Sequence, residues 1–183
     1  MKSIYLRNFT ATALLVLTFA WGLKSFAARL DTAAFVRELF DGRETLTALF
    51  PLALFLVGGV LAFATGTSWG TFGILIPITL SVFPLTDPHG VVCVSACMAG
   101  AVCGDHCSPI SDTTIMASAG AQCEHLDHVS TQLPYALTVA IVSFIGFIVA
   151  GFVQNVYITW LASAALLLGV LLFLRARERK QAE

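Results

Sequence analysis

Positive charge is what this sequence lacks most. No lysine or arginine lies between Arg43 and Arg175. Charged residues make up 11% of the chain, against roughly 25% in soluble domains. A soluble protein of this length must coat one core with polar side chains. With 57% hydrophobic residues, this chain has too few left to do so. The missing basic patch also excludes a nucleic-acid partner. The net charge of -1 therefore conceals two basic ends around a membrane-length middle that carries only acids.

A disulfide framework is lacking too. Cys93, Cys97, Cys103, Cys107 and Cys123 are an odd set crowded into one short stretch, which argues against pairing. They read as small buried hydrophobes. A competing reading takes Cys103, His106, Cys107, Cys123, His125 and His128 as a thiol or transition-metal site. Against it, the Cys-x2-Cys pairs typical of zinc centres do not occur.

What is present is apolar sequence in membrane-sized pieces, and these predict an all-α polytopic membrane protein. A membrane helix needs about 20 apolar residues. Residues 8–23 make a first span, flanked by Arg7 and Lys24, whose stems can snorkel to the interface. A second reading takes Lys2, Arg7 and this apolar run as a signal peptide cut after Ser25-Phe26-Ala27. Residues 24–44 mix acids and bases with a rough apolar stripe and read as an amphipathic connector at the interface. Residues 45–86 carry no charge and are interrupted by Ala64-Thr65-Gly66-Thr67-Ser68-Trp69-Gly70. The expected form is a re-entrant helical hairpin with its tip there, the alternative being two spans joined by a tight turn. Residues 89–122 hold Pro109 at their centre, and proline forces a helix to open. One broken span of two half-helices, unwound near residues 105–109, is predicted. Residues 129–153 and 156–174 are two ordinary spans divided by Gln154-Asn155. The tail from Arg175 to Lys180 is a cytoplasmic stop signal by the positive-inside rule. Counting spans back from it returns the N-terminus, with Lys2 and Arg7, to the cytoplasm as well.

The chemistry lies in Gly104-Asp105-His106-Cys107-Ser108-Pro109-Ile110-Ser111-Asp112-Thr113-Thr114. A carboxylate at membrane depth costs ~2.5 kcal/mol or more, and such groups usually pair with an arginine or lysine. None exists in this part of the chain. Asp105 and Asp112 must then be neutralised by something mobile, either a proton or a metal cation held by oxygen. A site that holds one or the other, but not both, is the minimal device for exchanging them across a membrane. Ser108, Ser111, Thr113 and Thr114 offer hydroxyls, and an unwound backbone offers carbonyls, which suits a hard cation such as sodium. Thr65, Gly66, Thr67 and Ser68 form a second oxygen-rich break, and two such breaks facing one another would complete a coordination shell. Half-helix ends at the bilayer midplane recur in transporters as ion sites. His106 reads as a proton relay or as a neutral hydrogen-bonding partner of Asp105. Asp112 also reads as a helix N-cap, and Trp69 as an interfacial aromatic.

The segment 104–114 resembles the NhaC family of sodium/proton antiporters. Phe63-Ala64-Thr65-Gly66-Thr67-Ser68-Trp69-Gly70-Thr71-Phe72, followed by Ile76-Pro77, is similar to that family's other signature, and Ala20-Trp21 to the helix before it. The resemblance covers essentially the whole chain but only the C-terminal half of a family member. It implies a transporter rather than an enzyme, in a bacterial plasma membrane, exchanging sodium and protons and needing no cofactor. It also implies two inverted repeats, of which this chain supplies one hairpin and one broken helix. A missing N-terminal half or a second copy would then complete the site. The family includes sodium-coupled malate/lactate exchangers, so exchange of an organic acid is the alternative.

Overall fold

The computed structural model describes residues 42–182, together with positions 18, 22, 25, 26, 29, 30, 34, 35 and 38. Those isolated positions apart, the predicted span 8–23 and the connector up to residue 41 lie outside the described residues. Six helices follow: α1 (Glu44–Thr65), α2 (Ser68–Val82), α3 (Pro88–Cys107), α4 (Asp112–Ala121), α5 (His125–Val153) and α6 (Val156–Ala182). No strand occurs among the described residues. Among the described residues, four helices are long and apolar enough to cross a membrane: α1, α3, α5 and the Val156–Arg177 part of α6.

The boundaries follow from local chemistry. α1 stops because Gly66 takes a left-handed conformation (φ 68°) and returns its N–H to Ala62, a cap that glycine adopts without Cβ penalty. Thr67 is extended, and α2 starts at once. α3 opens on Pro88, whose missing N–H is not needed in the first turn, and the Asp87 side chain accepts from His89 N. α5 ends on Gln154 in the left-handed region. Asn155 Oδ1 then accepts from the N–H groups of Tyr157 and Ile158 to begin α6.

Helix α3 is the hub. Its buried face is built from small residues: Cys93, Ala96, Cys97 and Ala101 are fully buried. Its larger Val91, Met98 and Val102 face outward. Large side chains outside and small ones inside reverse the order of a soluble core and match helix packing in lipid. α1 and α3 run parallel at a constant offset, Phe55 beside Gly100, Gly59 beside Gly104 and Phe63 beside Ser108. A Cβ added to Gly100 or Gly104 would overlap the backbone of Phe55 or Gly59. This Gly-x-x-x-Gly ridge thus lets the two backbones touch. α2 returns antiparallel, Thr79 Oγ1 meeting Cys97 Sγ at 3.2 Å and Ser68 meeting Asp105. α5 runs antiparallel to both long helices, with Phe147 on Phe55, Gln132 near His106 and Gln154 near His89. α6 packs on α5 alone among these helices, with Ser163 against Gly146, and buries nothing of its apolar window.

Two expectations change. The helix does not open at Asp105: α3 continues to Cys107, and the unwound segment is 108–111. Pro109 cannot donate to the Asp105 carbonyl as the next turn requires, and Ser108 N takes that bond instead at 3.1 Å. Nor is the first part of the broken segment a half-helix. With 20 residues, α3 is about 30 Å long, enough for the hydrocarbon core. The break therefore stands at the end of a full-length helix, beside the end of α1.

Substitution should expose the α1–α3 contact. Gly100→Val is expected to destabilise the folded chain by ~1–3 kcal/mol or more through overpacking, read as a lower melting temperature in detergent. Gly120→Ala, where nothing lies within 4 Å, should leave the melting temperature unchanged or slightly raised.

Candidate ion site at the facing breaks

The parallel packing of α1 and α3 brings the Gly66-Thr67 tip against the 108–111 break. Contact is close: a Cβ on Gly66 would lie 2.6 Å from the Ile110 carbonyl oxygen. Three hydrogen bonds sew the two breaks together. Asp112 N donates to Gly66 O at 3.3 Å, Ser108 Oγ to Phe63 O at 2.8 Å, and Ser68 Oγ to Asp105 Oδ2 at 3.3 Å. The bond to Phe63 supplies a carbonyl in the last turn of α1, which has no helical donor ahead of it.

Asp105 sits at the centre and is 2% exposed. Ser111 Oγ donates to Oδ1 at 2.6 Å, Thr113 Oγ1 to Oδ2 at 3.1 Å, and Ser68 Oγ also reaches Oδ2. Ser111 has one proton. While it goes to Asp105, the 2.7 Å contact between Ser111 and Thr113 is a hydrogen bond only when Thr113 turns its own single proton from Oδ2 to Ser111 Oγ. Ser111 Oγ also accepts from Thr114 N and so caps α4. Thr114 Oγ1 is buried nearby without a partner. The first turns of α2 and α4 deliver Ser68 and Thr113, so two positive helix ends converge on the carboxylate. All three hydroxyls are neutral. The nearest arginines or lysines in the sequence are Arg43 and Arg175, and His106 bonds Val102 O instead, so the arrangement orients the charge of Asp105 without cancelling it.

Of the residues singled out in the sequence, the structure gathers Asp105, Ser68, Ser111 and Thr113 at the carboxylate, with Ser108 and Gly66 buried in the scaffold beneath. Others stand apart. Asp112 is exposed at the start of α4, and the cap there is Ser111, not Asp112. Thr65 is exposed and bonds back to Leu61 O at 2.8 Å. Thr67 is half-buried, its carbonyl accepting from Thr71. Trp69 is exposed and meets Phe72 edge-on. His106 turns from Asp105: its Nδ1 bonds Val102 O at 2.8 Å. It lines a groove of about 700 Å³ between α3 and α5 with Cys103, Gln132, Tyr135 and Ser143. Among the described residues, no three His, Cys, Asp or Glu side chains cluster as metal ligands.

The sequence reading missed two donors. Gln132 Nε2 serves the His106 carbonyl at 3.1 Å, and His125 Nε2 serves that of Pro109 at 2.7 Å. Their signal was the break itself, which leaves carbonyls that some neighbouring side chain must satisfy.

Comparison with known proteins shows the family. The family described as the Na+/H+ antiporter family matches residues 8–152. An uncharacterized protein of Haemophilus influenzae is 45% identical over 90% of this chain and 32% of its own length. The malate-2H(+)/Na(+)-lactate antiporter of Bacillus subtilis is 31% identical over 59% of this chain and 23% of its own. An uncharacterized Na(+)/H(+) antiporter of Haemophilus influenzae is 36% identical over 56% and 22%. The chain thus spans about a third or less of the length of these relatives. No solved structure matches.

Ser111 gives a direct test of the site's construction. Ser111→Ala removes both the cap of α4 and the shortest bond to Asp105. Loss of an N-cap costs about 0.5–2 kcal/mol, so the melting temperature should fall more than for Thr113→Val, which leaves the cap in place. Equal stability of Ser111→Ala and the parent would show that α4 does not need this cap.

Proposed function

Because the chain belongs to the Na+/H+ antiporter family, we propose that it takes part in exchanging sodium for protons, with Asp105 holding one or the other. The observation that carries this reading is a carboxylate 2% exposed, ringed by three hydroxyls, in a chain with no lysine or arginine between Arg43 and Arg175. Sodium, as substrate, would meet Asp105, Ser68, Ser111 and Thr113, all hard oxygen ligands. When it binds, these hydroxyls rotate their protons outward and offer lone pairs, and the proton on the carboxylate leaves. Thr113 is the exposed member of this set, and Asp112 is exposed beside it. Asp112 is then a second coupling carboxylate on the open side, covered by a missing N-terminal half or by a second copy. His106 stands on the α5 side as a further polar group on the path.

The chain is a multi-pass membrane protein. Its NhaC-type motifs and charge pattern support a place in a bacterial inner membrane, with both termini in the cytoplasm and the α1–α2 hairpin re-entrant. It acts as a transporter, not an enzyme, and uses no cofactor. The likeness to the malate-2H(+)/Na(+)-lactate antiporter supports a second reading, in which an organic acid is exchanged and the same carboxylate supplies cation coupling.

Asp105→Asn, made in a full-length context, should abolish sodium-dependent proton flux in everted vesicles while membrane insertion persists. Normal flux would remove Asp105 from the mechanism. Competition has a defined sign. If binding sodium expels a proton, protons displace sodium by linkage. Apparent sodium affinity must then weaken as pH falls. Calorimetry in two buffers of different ionisation enthalpy counts the protons released per sodium, and a count of zero at every pH would sink the exchange. A reporter fused after Glu183 should read as cytoplasmic, because basic residues close the final span.

A further inference from the structure

Helix α5 meets the break with two donors, His125 and Gln132, seven residues apart and so on one face of the helix. They bond the carbonyls of Pro109 and His106 at 2.7 and 3.1 Å. The His106 carbonyl is in the last turn of α3 and that of Pro109 lies just beyond it, where the next helical N–H groups are missing. Without α5 they would have no donor.

His125 has a second attachment. Its Nδ1 lies 3.1 Å from Ser118 Oγ on α4, and Ser118 Oγ lies 2.9 Å from the Ile115 carbonyl. A carbonyl only accepts, so Nε2 must carry a proton in the bond to Pro109. Ser118 has one proton to give. If it goes to Ile115, Nδ1 must be the donor, and the ring is an imidazolium. If the ring is neutral, the hydroxyl has to leave Ile115 and turn to Nδ1. Every bond in this network is satisfied together only by the charged ring.

We propose that His125 and Gln132 are positioning residues that hold the break in place, and that proton uptake by His125 tightens this hold. The charged ring fastens α4, α5 and the 108–111 segment as one unit. Loss of its proton frees Ser118 from one of its two bonds and loosens α4, which carries Thr113 and begins at the cap Ser111. Histidine is the side chain whose charge ordinarily changes between pH 5 and 8. The other titratable groups on the elements packed here, among the described residues, are Glu124, Asp127 and His128 on α5 and its cap, Cys123 in the link, and Asp112 on α4. At the end of α3 they are Asp105, His106 and Cys107. Of all these, His125 is the one whose side chain bonds a carbonyl of the break. Acidification locks the break and alkalinity releases it, so exchange slows in acid. This functional consequence rests on the ion-exchange reading; the hold itself does not.

Cys107, half-buried two residues before Pro109, reports on the hold without any transport. It would be labelled with a thiol reagent in chains whose other four cysteines are replaced. The ratio of the labelling rate in His125→Gln to that in the parent divides out ionisation of the thiol itself. It should be near one at about pH 8 and rise several-fold towards about pH 6, because glutamine cannot take up the proton. Ser118→Ala, which spares the bond to Pro109, should reproduce that rise, and Gln132→Ala should speed labelling at every pH. Sodium flux in the His125→Gln protein, measured at saturating sodium so that competition at Asp105 is overcome, should fall less in acid than in the parent. A ratio constant with pH for both His125→Gln and Ser118→Ala would overturn the proposal. A rising ratio in a chain that shows no sodium-linked proton release would uphold it and overturn the exchange reading alone.

Discussion

Helices α1 and α3 lie parallel with their backbones in contact, and the geometry of the site depends on that approach. Two consecutive spans joined by a single turn would be antiparallel and would place their ends on opposite sides. Here α2 intervenes as a short return, so α1 and α3 point the same way and finish side by side. Gly100 and Gly104, a turn apart on α3, remove the Cβ atoms that would hold the helices away from Phe55 and Gly59. Without this closeness Ser108 could not reach Phe63, nor Gly66 lie against Ile110. The driving force in lipid is packing rather than hydrophobic burial, which is why the contact is lined by small residues and the large ones are turned outward.

From that contact follows the electrostatic character of Asp105. A hydrogen bond to a charged group contributes roughly 1.5–3 kcal/mol, and a helix end up to about 2. Burying an ion costs several kcal/mol even after relaxation. Ser68, Ser111 and Thr113, with the first turns of α2 and α4, therefore make an ionised Asp105 tolerable in this interior without neutralising it. A carboxylate held in that condition has affinity left over for a small cation or a proton. An arginine in place of a hydroxyl would satisfy it permanently and end any exchange.

The break also has to be kept open. A helix interrupted by Pro109 exposes carbonyls on the α3 side and N–H groups on the α4 side, and each of these needs a partner where water is scarce. Ser111 serves the α4 end through Thr114 N, Gly66 receives Asp112 N, and α5 brings Gln132 and His125 to the carbonyls. The unwound segment is consequently defined by its neighbours on three sides, and Ser111 and Thr113 connect it to Asp105.

How much of this is legible in the sequence varies by residue. Membrane helices follow from composition, because no arrangement of so few charged residues could cover a soluble surface. The two interruptions are legible as well, since Gly66 and Pro109 act on the backbone within a few residues of themselves. Their positions are less so: proline's effect reaches back over a turn, and the bond from Ser108 to Asp105 let α3 run on to Cys107. The need for a mobile counter-charge is a property of sequence too, given the span from Arg43 to Arg175 without another lysine or arginine. Which oxygens face Asp105 is not. Ser111 and Asp112 are adjacent and both suited to capping a helix, yet one is buried as a cap and the other exposed. Ser68 is far away along the chain, and His125 bonds the break while His106, next to Asp105, turns from it. Local propensity and charge are written in the order of residues. Facing and partnership come from helix direction, register and close approach, and these were settled only when α1, α2, α3 and α5 packed together.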